Sequence, residues 1–192
     1  MNEDEALSIW TDCTYSGCSE DEREDIALRY YLEDGFESLN QNLLGTRLSQ
    51  KYSPQMREAL FISADILSRK LRKLPDYRSE LIEATLGDYD LACLPISRQH
   101  FPDPYLDQIL KSSKLQVPYF VSANLEWEVK QHRPHRLIIN SLRGKHVAGY
   151  SENRDTENEI LFDRNTLFYL DDYDVYENEI WLYLTESDNE NT

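Results

Sequence analysis

Cysteine is scarce in this chain of 192 residues: Cys13, Cys18 and Cys93 are all it has. An odd count with no framework spacing excludes a fold built on disulfides. Cys13 and Cys18 lack a second pair of ligands, so a structural zinc site is not expected. The four histidines, at 100, 132, 135 and 146, have no metal-ligand spacing either. No apolar run reaches 18 residues, which argues against a membrane-spanning helix. The N-terminal stretch is acidic, without the basic region and apolar core of a signal peptide. No internal repeat is visible. Basic charge is also in deficit: the formal net charge is −16. The first 25 residues carry nine acids against one base, and residues 151–192 thirteen against two. Only residues 26–150 carry a basic excess, with seventeen bases against fourteen acids. Such a field repels nucleic acid and anionic lipid, and it suits a basic protein partner.

What is present is enough for a core. Hydrophobic residues make up 40% of the chain, with 13 Tyr and 3 Trp. Residues 1–22 read as a polar, acidic, mobile arm. Ser19 or Asp21 is placed to cap a helix from about Glu22 to Glu33, which Gly35 ends. A second helix holds Phe36, Leu39, Leu43 and Leu44 and stops at Gly45. Ser53-Pro54 opens a third, with apolar residues at roughly helical spacing from Met56 to Leu71. Pro75 ends it, and a fourth helix is predicted from Arg78 to Leu86. Beyond Gly87 the texture turns to short apolar runs. Strands are expected over 89–96, 117–122, 136–142, 146–150, 159–162, 166–170 and 179–184, with a short helix over 105–110. Helices first and strands after predict an α+β fold, with a helical N-terminal half and a two-sheet β-sandwich core. A single domain over 23–186 is expected, with a helical lead-in at 23–87, a β core at 88–186 and a disordered tail at 187–192.

Three pieces carry chemistry. Arg98 closes Leu94-Pro95-Ile96-Ser97-Arg98. Ser122 and Asn124 lie in Tyr119-Phe120-Val121-Ser122-Ala123-Asn124. Glu157-Asn158-Glu159 opens Ile160-Leu161-Phe162. A planar guanidinium grips phosphate oxygens bidentately. Strand alternation puts Glu157 and Glu159 on one face, where two neighbouring carboxylates repel; a purely structural pair is thereby disfavoured.

In order and spacing these pieces resemble the arginine, serine and Glu-x-Glu site of the mono-ADP-ribosyltransferases. Tyr30 to Asn40 resembles that family's tyrosine–glycine–isoleucine–asparagine segment, and Leu71-Arg72-Lys73-Leu74-Pro75 the lysine–leucine–proline ahead of its first core strand. Asp163 to Phe168 resembles its strand–turn–strand, with Asn165 suited to the turn. Ser97 and Gln99 replace the usual Tyr and Gly around the arginine, and Ala123 and Asn124 replace the family's Thr and Ser. A rival alignment takes Arg78, in Tyr77-Arg78-Ser79, as the arginine.

The resemblance implies NAD as a substrate, and with no metal spacing among the histidines no metal is expected. It implies that Arg98 holds the pyrophosphate, with Ser122, Asn124 and Phe120 contributing to the NAD site. Any one of Phe120, Tyr119 and Trp127 serves core packing more readily than stacking. Ser122 would steady Glu159, and Glu159 would hold the ribose 2′-hydroxyl. Glu157 would take a proton from an arginine acceptor. Tyr150, Ser151 and Arg154 would belong to the loop that meets an arginine-presenting target protein. Free-standing domains of this type are often bacterial toxins or effectors, so virulence is implied, with action in a cytosol after export without a cleaved signal. NAD glycohydrolysis by the same site, a catalytically degenerate binding module and an unrelated acidic α+β protein are the alternatives. Lys130, Arg133, Arg136, Arg143 and Lys145 are candidates to offset the acidic field near an anionic dinucleotide.

Overall fold

The computed structural model describes residues 17–84, 109–125, 135–150, 158–175 and 180–188. The chain divides into two compact units, one of residues 1–74 with 148–157 and one of 75–147 with 158–192.

The first unit is helical. Helix α1 spans Glu20–Tyr30, α2 Phe36–Leu44 and α3 Pro54–Lys73, with a 3-10 turn at Ser49–Lys51. Ser19 caps α1: its hydroxyl accepts the Glu22 N–H, while the Glu22 carboxylate accepts the Ser19 N–H at 2.7 Å. Those reciprocal bonds satisfy amides that the helix cannot pair internally. The Ser19 amide and hydroxyl also hold the Glu22 carboxyl below its ordinary pKa.

Gly35 does not end α1. The chain passes through a π-helical turn, Tyr31–Gly35, directly into α2. Glycine is required there for space: a Cβ at Gly35 would lie 2.4 Å from the Tyr30 ring. Gly45, by contrast, stops α2 in the left-handed conformation at φ 66°. Helix α3 begins as expected, with Ser53 capping and Pro54 at the first position. Ala27, Leu28, Leu39, Leu60, Leu67 and Leu71 are buried. Lys73 pairs with Asp21 at 3.0 Å and with Glu24 at 2.9 Å. Glu24 is fully buried, so its carboxylate depends on the Lys73 ammonium for compensation.

The second unit carries seven strands among the described residues: β1 (Asp76–Ala84), β2 (Lys114–Gln116), β3 (Val121–Asn124), β4 (His135–His146), β5 (Glu159–Phe162), β6 (Leu167–Val175) and β7 (Ile180–Glu186). The expected helix at 78–86 is overturned, since 76–84 is strand. Glu, Leu and Ala there favour a helix locally, but backbone pairing with β4 and β3 overrides so weak a preference. The change from helix to strand therefore comes at Pro75 rather than near Gly87. The strands expected at 136–142 and 146–150 are one strand that ends at His146. The strand at 89–96 lies outside the described residues. The short helix appears at 109–112.

The strands are hydrogen-bonded in the order β1-β3-β5-β4-β7-β6-β2, and β1 also pairs with β4. The sheet thus curls until β1, β3, β5 and β4 close on one another, while β7, β6 and β2 continue from β4. Phe162 and Phe168 meet edge to face in the core at 5.2 Å between ring centroids. Asn165 turns β5 into β6 at φ 61°. Gly144 marks a close approach in this unit: a Cβ there would lie 2.6 Å from Ile160 Cγ2 and 2.9 Å from Phe162 Cε1. Gly144→Ala is expected to cost about 2 kcal/mol of stability by overpacking, read by urea unfolding.

Candidate active site

The register of β3 against β5 builds the site. Ser122 stands opposite Leu161 and Asn124 opposite Glu159. Glu159 is two residues from Leu161, so Ser122 and Glu159 are diagonal neighbours on one face. The Ser122 hydroxyl donates to Glu159 Oε1 at 2.5 Å, the short separation of a hydroxyl bound to a carboxylate. The backbone beneath is tied on both sides. The Val147 N–H donates to the Glu159 carbonyl at 3.2 Å, and the Leu125 N–H to the Asn158 carbonyl at 2.9 Å. Ile160, Leu161 and Phe162, all buried, anchor the strand that carries the carboxylate. Glu159 itself is half-buried and Ser122 exposed. A carboxylate oriented by a hydroxyl, on a fixed strand and open to solvent, is suited to stabilising a developing positive charge.

A charged pair lies along the same sheet. Lys145 stands opposite Leu161 on one side and Asp76 on the other. Its ammonium reaches Asp76 Oδ1 at 2.5 Å. That hydrogen bond holds the Asp76 carboxyl below its ordinary pKa, with the charges of Lys145, Arg78 and Arg143 adding to it against the effect of burial.

No protein-family model matches the sequence, and a search of curated proteins gives no match. Solved structures do match. An ADP-ribosyltransferase from Clostridium botulinum superposes with a TM-score of 0.61 at 15% identity, covering 95% of this chain and 94% of that one. ADP-ribosyltransferase HopU1 of Pseudomonas syringae pv. Tomato DC3000 gives 0.61 at 16% identity, over 97% and 88%. The type III effector XopAI from Xanthomonas axonopodis pv. citri gives 0.62 at 16% identity, over 96% and 72%. The chain has the ADP-ribosyltransferase fold.

On that fold the structure brings Ser122 and Glu159 together and sets Asn124 in register with Glu159. Phe120 is fully buried and packs as a core ring. Tyr150 is half-buried, with the Lys70 ammonium over its ring. Arg98, Glu157, Ser151 and Arg154 lie outside the described residues. Arg78, the rival arginine, is exposed on β1, the first strand after Leu74-Pro75.

Three features were not foreseen from sequence. One is the Asp76–Lys145 pair, and another is Lys70 over Tyr150. The third is Glu186, nearly fully buried, whose Oε2 accepts the backbone N–H groups of Leu142 at 2.8 Å and Arg143 at 2.7 Å. None has a local signal, because each joins residues distant in the chain.

Proposed function

We propose that this protein is an NAD-dependent mono-ADP-ribosyltransferase that modifies arginine on a protein target. The Ser122–Glu159 hydrogen bond, on this fold, is the observation that carries the reading. In the proposed reaction the bond between ribose C1′ and the nicotinamide nitrogen breaks, and its electron pair leaves with nicotinamide. The sugar passes through an oxocarbenium-like state, as in glycoside hydrolysis. Glu159, steadied by Ser122, holds the ribose 2′-hydroxyl and stabilises that charge. An arginine nitrogen then bonds to C1′ and gives up a proton to Glu157. Proton loss is essential, because a free guanidinium is protonated at neutral pH and has no nucleophilic lone pair to spare. Glutamate rather than glutamine at position 157 favours arginine as the acceptor. The acidic surface suits a basic target, and the loop led by Tyr150, Ser151 and Arg154 would meet it. Among the described residues no helix is long and apolar enough to cross a membrane. We take the β1, β3, β5, β4 group and the β7, β6, β2 group as the two sheets of the ADP-ribosyltransferase core. Action as a bacterial effector in a target-cell cytosol fits the toxins and effectors that share the fold.

The pyrophosphate falls to one of two arginines. Arg98 has the more family-like distance to Ser122. Arg78 lies on the strand that directly follows the Leu-Pro segment, and β1 pairs with both β3 and β4. That topology favours Arg78, which departs from the sequence expectation. Arg78→Ala is expected to raise KM for NAD about 10- to 100-fold, the loss of one bidentate phosphate contact. Arg98→Ala should change it less than threefold. The reverse ranking in NAD titrations would restore Arg98.

The activity itself is tested with labelled NAD and a crude cell lysate, beside a Glu159→Ala control. A labelled protein band that vanishes in the control supports transfer. Nicotinamide release without a band indicates NAD glycohydrolysis. Absence of both, together with no NAD binding by calorimetry, refutes the reading in favour of a binding module.

A further inference from the structure

Lys70 sits in the last turns of α3 with only 14% of its side chain exposed. An ammonium so enclosed needs compensation, and two groups lie closest. Asp25 of α1 lies 2.6 Å from Nζ, and the face of the Tyr150 ring lies beneath, 5.1 Å from Nζ to the centroid. Burial alone would lower the Lys70 pKa. The hydrogen bond and charge of Asp25, with Tyr150 and Glu24, outweigh that and raise it, so the amine stays charged. A charged amine over an aromatic face is a directional contact, strongest where water is excluded.

The position of Tyr150 gives the contact its meaning. Val147 belongs to the strand unit, and its N–H is bound to the Glu159 carbonyl. Ala148, Gly149 and Tyr150 belong to the helical unit. Gly149 has φ 84°, a conformation that glycine adopts without strain, and it directs the chain into that turn. Tyr150 therefore fastens the backbone to α3 three residues beyond a group bonded to the Glu159 backbone, and just ahead of Glu157 in sequence.

We propose that Lys70, held by Asp25, is a positioning residue that fixes Tyr150 for use of the protein acceptor. It touches neither NAD nor the reacting atoms. The role rests on the transferase reading above and extends it to acceptor selection. Hydrolysis of NAD by water needs the glutamate and the dinucleotide, and it does not need an ordered acceptor surface. Loss of Lys70 should therefore separate two activities that a general loss of fold would lower together.

The experiment compares wild type, Lys70→Met and Lys70→Arg. Lys70→Met keeps the apolar stem and removes the charge, and Lys70→Arg keeps a cation able to stack on the ring. Two rates are measured: labelling of lysate protein from labelled NAD across a dilution series, and nicotinamide release without lysate. Lys70→Met is expected to raise the lysate concentration for half-maximal labelling at least fivefold while nicotinamide release stays within twofold. Lys70→Arg should recover most of the labelling. Tyr150→Leu added to Lys70→Met should bring little further loss of labelling, since the pair acts as one unit. Equal labelling by wild type and Lys70→Met overturns the proposal, as does a parallel fall in both rates. Wild type that neither labels protein nor releases nicotinamide overturns the transferase reading and this role with it; an active wild type with an unaffected variant overturns this role alone.

Discussion

Glu159→Gln is expected to fold normally and to lose both transfer and nicotinamide release by about 10²- to 10³-fold or more, the usual cost of removing a preorganised charge-stabilising group. The amide keeps the shape of the carboxylate and can still accept the Ser122 hydroxyl, which lies 2.5 Å away in the native protein. Only the negative charge is lost, so the loss in rate measures that charge. The fall should appear in kcat with KM for NAD changed little, because in the proposed reaction the charge is needed most when the sugar becomes cationic. Ser122→Ala should cost less, about tenfold, since it frees the carboxylate to rotate without removing it. The double variant should then be no worse than Glu159→Gln alone, because the two groups act as a unit. Single-turnover nicotinamide release checks all three. A Glu159→Gln variant within tenfold of wild type would contradict the proposed role of this carboxylate.

The second large effect is on stability. Glu186→Ala is expected to cost about 3 kcal/mol, because it strips the acceptor from two backbone N–H groups in partly buried surroundings. For a chain of this size that corresponds to roughly 10 °C in Tm. Glu186 ends β7 and bonds to β4 where β4 runs on past its last partner in β7, so one carboxylate serves both amides that follow Ser141. Arg143 adds to the clamp, with a guanidinium nitrogen donating to the Ser187 carbonyl at 2.8 Å. Glu186→Gln should recover about half the loss, since its amide oxygen still accepts. Thermal unfolding by circular dichroism would show the order wild type, Gln, Ala; an Ala variant as stable as wild type contradicts the role.

The clamp also shows where local sequence signals stop. Thr185-Glu186 reads as the polar end of an apolar strand, and nothing nearby says that the carboxylate turns inward. Its partners lie 43 and 44 residues back in the chain. The same holds for Asp76 and Lys145, 69 residues apart. Residues 78–84 mislead in the other direction, because their composition suits a helix and only the β4 and β3 backbones make them a strand. Gly35 carries a stop signal that the Tyr30 ring, packed over it, turns into a requirement for space.

The sequence by itself determined the local features. Ser53-Pro54 starts a helix, Gly45 stops one, and the cap of the first helix is narrowed to Ser19 or Asp21, because caps and turns depend on residues within about one helical turn. It also marked Ser122 and Glu159 as candidates, since a hydroxyl at the end of one expected strand and a carboxylate ahead of an apolar strand are visible in order and spacing. Tertiary structure decided which groups meet. It set the β3–β5 register that puts Ser122 beside Glu159, placed Arg78 on the first strand, and brought Lys70 over Tyr150. Register and long-range contact are fixed by pairing and burial across the whole chain, and a slip of one residue would turn Glu159 to the opposite face of its strand.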